Sequence, residues 1–349
     1  MLSRSLQCAL EREVVGQARA IHTLVRAMTI AMSGLGNPRA PLGIYLLIGP
    51  SGTGKTHTAR SVARILHRDP DRLATADCMQ IGGGGEWAAL TRQIAPYFRQ
   101  APTDRGKGLA RMAPHSILLV EHLEVAKTEV VRALVAALET GHLVLPDGTC
   151  GSLSGCLVLM TSNLCAREIF GEDRQVGFSS AAGDLEESEK ARIYQLCSSA
   201  AEKQWGTDLL GHLDDLIVFH RLHESHLPEI LRRLFRELNR RLASREISCE
   251  PEDAAMDYLI RRAGRFMHLG AWFLVKVFRR FVLFPIADLA SSNRVRRGAR
   301  IAISLEPGDR LRFSVNGGEK APPVREGHPV RVAVEWDDEP APIGSAFSG

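Results

Sequence analysis

The amino-acid sequence predicts an α/β fold, a parallel five-stranded sheet flanked by helices, followed by a small helical domain. Three observations carry this. Five short apolar runs, at 44–48, 73–78, 117–120, 157–161 and 216–219, alternate with longer amphipathic segments such as 56–66, 86–94 and 128–139, the pattern of strands covered by helices on both faces. A glycine-rich octapeptide, GPSGTGKT at 49–56, lies between the first apolar run and the first amphipathic segment. From about Ser225 the texture turns helical: SHLPEILRRLFRELNRRLASR spaces its apolar residues three and four apart opposite a row of arginines.

The second domain continues through Pro251, which suits a first helical turn, and through the apolar stretch 269–289 to a short alternating segment at 301–313. The polar stretch 172–190 reads as an exposed excursion, and the Pro- and Gly-rich last thirty or so residues as a loosely held tail. The expected boundaries are 1–222 for the nucleotide-binding domain, 223–316 for the helical one and 317–349 for a flexible tail. No internal repeat is visible.

The 349 residues are enough for a well-buried core and permit an enzyme. With 45% hydrophobic and 24% charged residues the chain is of ordinary globular composition. No run reaches the roughly 18 apolar residues of a membrane span; the longest, near 278–289, is interrupted by Arg279, Arg280, Pro285 and Asp288. The first residues lack the apolar core of a secretory signal, so a cytoplasmic location is expected. Seven scattered cysteines without a CxxC pair read as reduced thiols. A net charge of +4 is too weak by itself to imply nucleic acid.

The octapeptide satisfies GxxxxGK[ST] in the required context of strand, loop and helix. The loop Gly49, Pro50, Ser51, Gly52, Thr53 and Gly54 turns the backbone N–H groups of its non-proline residues toward phosphate oxygens, Lys55 reaches the outer phosphates, and the Thr56 hydroxyl ligates magnesium at a helix N-terminus. ATP and Mg2+ are the expected ligands.

Further motifs resemble the AAA+ ATPases of the Clp type, specifically the second ATPase module of the ClpB and ClpV disaggregases. Val14-Val15-Gly16-Gln17 is similar to the family's VVGQ, which lines the adenine pocket, and SGLGNPRAPLGIYLLIGPSGTGKT is similar to its AGLxDPxRPxGxFLFxGPTGVGKT. Thr161-Ser162-Asn163 falls where the family places its first sensor asparagine, Asn163 here. Leu269-Gly270-Ala271 and the stretch 285–289 match its small C-terminal domain. The resemblance covers about residues 10–315 and implies a P-loop AAA+ domain with a C-terminal lid, nucleotide in the crevice between them, and a ring of six subunits.

Against that family, three positions that act on the terminal phosphate differ. Where it has Asp-Glu after four apolar residues, this chain has Glu121-His122: Glu121 keeps a carboxylate for magnesium, while His122 replaces the base. The arginine finger segment corresponds to TDLLGHLDD at 207–215, with His212 in the arginine's place; imidazole is shorter and lacks the guanidinium fork. The second sensor, an arginine after Gly-Ala, is Trp272, expected to fill space between the domains or to stack. The tyrosine-bearing pore loop has Pro96-Tyr97-Phe98-Arg99 as its nearest counterpart, and the Gly82–Gly85 run reads as a flexible loop.

His220, His223 and His226 recur every third residue but lack cysteine or carboxylate partners at ligand spacing, and read as a polar linker. The arginines at 232, 233, 236, 240, 241, 245, 294, 296, 297 and 300 form a basic surface, read as a solvated face or subunit contact.

The implied function is that of an ATP-binding module acting as a nucleotide-gated regulatory or assembly component with weak or lost hydrolysis, in a ring with itself or a related AAA+ subunit, with a protein client open. An active Clp-like ATPase that remodels proteins and a nucleotide-dependent DNA-binding scaffold are the alternatives.

Overall fold

The computed structural model describes residues 2–35, 37, 40–68, 73–81, 85–100, 110–111, 116–171, 187–266, 270–292 and 295–316. The polar excursion up to residue 186, Gly82 to Gly84, Leu269, Arg294 and the tail from 317 therefore lie outside the described residues. The chain divides into two compact units, Met1–His226 with Leu269–Ala271, and Leu227–His268 with Trp272 onward.

In the first unit, helices α1 (Leu2–Glu11) and α2 (Ala18–Ser33) precede strand β1 (Gly43–Ile48), helix α3 (Lys55–His67), β2 (Leu73–Asp77) and α4 (Glu86–Ile94). Two short strands follow, β3 (Arg99–Gln100) and β4 (Ala110–Arg111), then β5 (Ile117–Glu121), α5 (Thr128–Thr140), β6 (His142–Val144), β7 (Cys150–Ser152), β8 (Leu157–Ser162), α6 (Ala166–Gly171), α7 (Glu187–Gly211) and β9 (Asp215–Val218). The main sheet runs in the order β2-β5-β8-β1-β9, and all its pairings are parallel.

The five apolar runs become these five strands because a sheet packed on both faces has no polar side to alternate with. Period two survives as a partition of the core. Ile44, Leu46, Ile48, Leu118, Val120, Val158 and Met160 join one hydrophobic cluster with α5 and α7; Tyr45, Leu47, Ile117, Leu119, Leu157 and Leu159 join the other with α1, α2 and α3. Parallel pairing aligns the C-terminal strand ends, so Ile48, Asp77, Glu121, Ser162 and Val218 lie along one edge. The loops leaving that edge hold the candidate site.

A second sheet, β3-β4-β7-β6, carries the segment that stands nearest to a pore loop. It separates the two aromatics there. Phe98 is buried in the core and its ring lies where a Cβ on Gly151 would come within 2.8 Å, while Tyr97 stays 37% exposed.

The other unit holds helices α8 (Leu227–Leu242), α9 (Asp253–Gly264), α10 (Trp272–Phe278) and α11 (Phe284–Ser291), with strands β10 (Ser248–Pro251), β11 (Arg300–Glu306) and β12 (Arg310–Asn316). Beside its helices this small helical domain carries a three-stranded sheet, β10-β11-β12. Pro251 does not begin a helix: it closes β10, pairs with Ile303, and leaves Glu252 as the residue before α9. An edge strand tolerates a residue without an N–H. The Asn239 side chain fixes β10 to α8, accepting from Cys249 N at 2.7 Å and donating to Cys249 O at 2.9 Å. Phe235 meets Phe278 edge to face at 5.0 Å in the core. Between α10 and α11 one wider π turn, Arg279–Leu283, lets Phe284 N donate to Arg279 O just before Pro285, where proline removes a donor from the ordinary helical ladder.

The arginine-rich face of α8 is a set of exposed ion pairs. Arg232 and Arg236 meet Glu229, and Arg240 and Arg241 meet Glu237, while off the helix Arg297 meets Glu246. Such pairing fits a solvated face.

Candidate functional site

The root of the loop after β1 is fastened on two sides. Gly49 N donates to Ser162 O at the end of β8, and Phe219 N donates to Ile48 O beside β9. Gly49 has φ 148, and a Cβ there would stand 2.4 Å from the Phe219 carbonyl oxygen; backbone cannot yield as a side-chain tip can. Gly49→Ala is expected to cost about 3 kcal/mol of stability, read as a lowered denaturation midpoint of the nucleotide-free protein. A variant as stable as the parent would show that the loop root has room.

Within the loop, Thr53 Oγ1 donates to Pro50 O at 2.8 Å, and Gly52 and Gly54 adopt positive φ of 77 and 103. A Cβ on Gly54 would meet nothing within 4 Å, so that glycine serves backbone conformation and leaves its surroundings open. Ala271 N donates to Gly52 O at 3.2 Å, and a Cβ on Gly270 would stand 2.8 Å from Ser51 O. The Gly-Ala pair thus braces the loop from behind. Gln17, the last residue of the VVGQ segment, is buried and spans two parts of the site: its Nε2 donates to Thr53 O and His220 O, and its Oε1 accepts from His220 N. Val14 is taken up by the core, and Val15 is half-buried; the expectation that both line an adenine pocket is a proposal.

Lys55 is only 7% exposed. Its Nζ donates to Gly49 O at 2.6 Å, Pro50 O at 2.7 Å and Asn163 Oδ1 at 3.0 Å. Burial pushes its pKa down to about 8, and Glu124 partly counters this. Asn163 continues the chain by donating from Nδ2 to Glu124 Oε1 at 2.9 Å. The other carboxylate oxygen, Glu124 Oε2, is buried with no hydrogen-bond partner among the described residues. No sequence motif singled out Glu124.

The two expected magnesium ligands meet directly: Thr56 Oγ1 donates to Glu121 Oε1 at 2.5 Å. A hydroxyl and a carboxylate at the mouth of a glycine-rich N–H cradle form a hard-oxygen donor set suited to Mg2+. The residues therefore fit ATP with magnesium, and the metal, when bound, would neutralise phosphate charge.

His122 follows with φ 58, an uncommon conformation for a residue other than glycine. Its Nδ1 lies 2.9 Å from Asp77 Oδ1. Burial raises the Asp77 pKa, but hydrogen bonds from His122, Met79 N and Gln80 more than offset it, and the net direction is down.

The remaining positions are dispersed. His212 is half-buried in the turn after α7, where its N donates to Leu209 O at 3.2 Å. Trp272 opens α10 with its ring under the Lys276 ammonium, 4.0 Å away. The three spaced histidines form no metal cluster, and none occurs among the described residues. His220 contributes main-chain bonds to Gln17, and His223 N donates to His226 Nδ1. No described helix is long and apolar enough to cross a membrane.

A five-stranded parallel sheet with a glycine-rich anion cradle, a buried lysine and a Thr–carboxylate pair along one strand edge defines a P-loop nucleotide-binding protein. A profile of the AAA domain (Cdc48 subfamily) matches residues 40–216, and one of the C-terminal, D2-small domain of ClpB protein matches residues 222–303. The chain belongs to this AAA family and carries the ClpB-type small domain. It is 28% identical over 304 residues to the ATP-dependent Clp protease ATP-binding subunit ClpC of Staphylococcus aureus (strain USA300) and of Staphylococcus epidermidis (strain ATCC 12228). These matches span 86% of this chain and 36% of each relative, so the chain covers about a third of their length. A closed-state cryo-EM reconstruction of Hsp104 with ATPyS and FITC casein shares the fold, with a TM-score of 0.68 and 23% identity over 90% of this chain and 51% of that one.

Proposed function

We propose that this chain binds ATP with Mg2+ in the loop 49–56 and acts as a nucleotide-gated regulatory or assembly component of an AAA+ ring, hydrolysing ATP slowly. The observation that carries the reading is Lys55, buried and poised among oxygen acceptors at the root of the loop. A buried cation is costly, and an anionic phosphate is the ligand that would offset it. Thr56 and Glu121 would hold the magnesium, with Asn163 facing the outer phosphate, and Val14 and Val15 beside the base.

Slow turnover follows from what the remaining positions lack. His212 offers no guanidinium to a neighbouring subunit, and Trp272 no positive charge to the phosphates. Each such group is worth orders of magnitude in rate, whereas their loss leaves the P-loop intact. The ring, expected to be hexameric, would contain copies of this chain or a related AAA+ subunit; a protein client and a cytoplasmic setting complete the proposal.

The test is paired: calorimetric ATP binding with Mg2+ and phosphate release on one preparation. Micromolar binding with turnover well under about one per second is the expected result. Release at or above that rate, abolished by Lys55→Ala, would instead make the chain a working ATPase, and absence of binding would end the nucleotide reading altogether.

A further inference from the structure

The residue after Glu121 is an imidazole that the fold holds in one orientation. Asp77 ends β2 and stands in register with Glu121, the last residue of β5. Its backbone is clamped by Gln93, which accepts from Asp77 N at 2.8 Å and donates to Asp77 O at 3.2 Å. Its carboxylate is placed by Met79 N at 2.9 Å and Gln80 Nε2 at 3.1 Å. To that fixed carboxylate His122 presents Nδ1 at 2.9 Å, while its own N donates to Thr161 Oγ1 at 3.4 Å.

An ionised carboxylate only accepts, so in the neutral ring the proton sits on Nδ1 and the lone pair on Nε2. Nε2 has no hydrogen-bond partner among the described residues, and the side chain is 33% exposed. One residue earlier, Glu121 meets the hydroxyl of Thr56. A lone pair in a fixed tautomer, oriented by a third group, is the arrangement of a base that activates a nucleophile.

We propose that Asp77 and His122 form a base pair for hydrolysis in this chain: His122 Nε2 takes the proton of the attacking water, and Asp77 is the positioning residue that fixes the tautomer. The inference rests on the reading that ATP occupies the loop 49–56. In the step, the water oxygen bonds to the γ-phosphorus, and the bond from that phosphorus to the β,γ-bridging oxygen breaks. That electron pair stays with ADP, and the water proton passes to Nε2 and on to solvent. The competing acceptor nearby is Glu124. One of its oxygens is engaged by Asn163 and the other is buried, so the exposed imidazole is the better placed of the two.

The test combines a spectroscopic and a kinetic arm. Histidine 15N NMR of the nucleotide-free chain should show His122 protonated at Nδ1 and bare at Nε2, and Asp77→Asn should release this to a tautomer mixture. The opposite tautomer in the wild type overturns the proposal without reference to ATP. In single-turnover assays with γ-labelled ATP, His122→Gln, which keeps a donor for Asp77, should lower the rate about 10²-fold with ATP affinity within a few-fold of the parent. Added imidazole should restore part of the rate of His122→Ala. An unchanged rate in His122→Gln, or wild-type turnover too slow to exceed it, overturns the proposal; a loss confined to Glu124→Gln assigns the base there instead. Calorimetry separates these outcomes from a failure of nucleotide binding itself.

Discussion

Lys55→Met is expected to yield a folded chain that no longer binds ATP and whose stability lacks the parent's rise at alkaline pH. In the folded chain the Lys55 pKa falls from 10.5 to about 8 because burial penalises its charge. Keeping it protonated at pH 7 therefore costs on the order of 3 kcal/mol. Methionine fills the same stem without a charge, at the loss of a donor to Gly49 O, Pro50 O and Asn163 Oδ1. Each acceptor deprived of its charged donor returns about 1–3 kcal/mol of that gain, and among the described residues only Pro50 O keeps a second donor, Thr53 Oγ1, so the two effects are of similar size at neutral pH.

The pH dependence follows with its sign. The folded pKa lies below the unfolded one, so between about 8 and 10.5 the unfolded chain binds more protons and folding becomes more favourable as pH rises. Wild-type stability should climb over that window through this group, and the Met variant should lack the climb. ATP affinity should fall by at least about 10²-fold, the worth of the charge-assisted bonds to phosphate. A variant less stable than the parent would show that the ammonium's partners outweigh its desolvation.

The same lysine shows why some of the site was legible in sequence and some was not. The loop 49–56 declares itself because motif, preceding strand and following helix are contiguous. The five strands are legible because burial on both faces leaves continuous apolar runs, yet nothing in those runs says which neighbours which. The order β2-β5-β8-β1-β9 comes only with the structure. That order brings Thr56 to Glu121, Lys55 to Asn163 and Asp77 to His122, across separations of 65, 108 and 45 residues. The first two pairs were expected as roles without being expected as contacts. Asp77 lies unmarked inside the run 73–78, because a lone aspartate signals nothing until β2 lies beside β5.

Two further residues escaped for similar reasons. Gln17 belonged to a recognised motif, but its work, joining Thr53 to His220, spans 203 residues at its far end. Glu124 follows the strand by three positions in a short turn and becomes notable only because Asn163 leans on it. In the second unit, the alternation at 301–313 was a strand signal, while Pro251 concealed the partner strand, since proline is ordinarily evidence against one.

His212→Arg is expected to raise the rate of phosphate release about 10³-fold, the low end for an arginine finger, in assemblies of this chain and only there. The segment that carries His212 is tied to the sheet: Asp214 N donates to Ile44 O at 2.8 Å, and Asp214 Oδ2 accepts from Ile44 N at 2.8 Å. Leu209 is fully buried below it. A side chain at 212 is therefore held on a firm base, half-buried, with no side-chain hydrogen bond among the described residues to be lost on substitution. Arginine there adds length, permanent charge and a two-pronged donor. If the position serves a neighbour's nucleotide, the gain should appear only above the protein concentration at which rings form, with ATP affinity unchanged, since the added interaction acts on the charge that develops during transfer. Phosphate release measured across a dilution series, with assembly followed by light scattering, decides it. An assembled His212→Arg ring no faster than the parent would remove this position from the account of slow turnover and leave the nucleotide gate to the subunit's own residues.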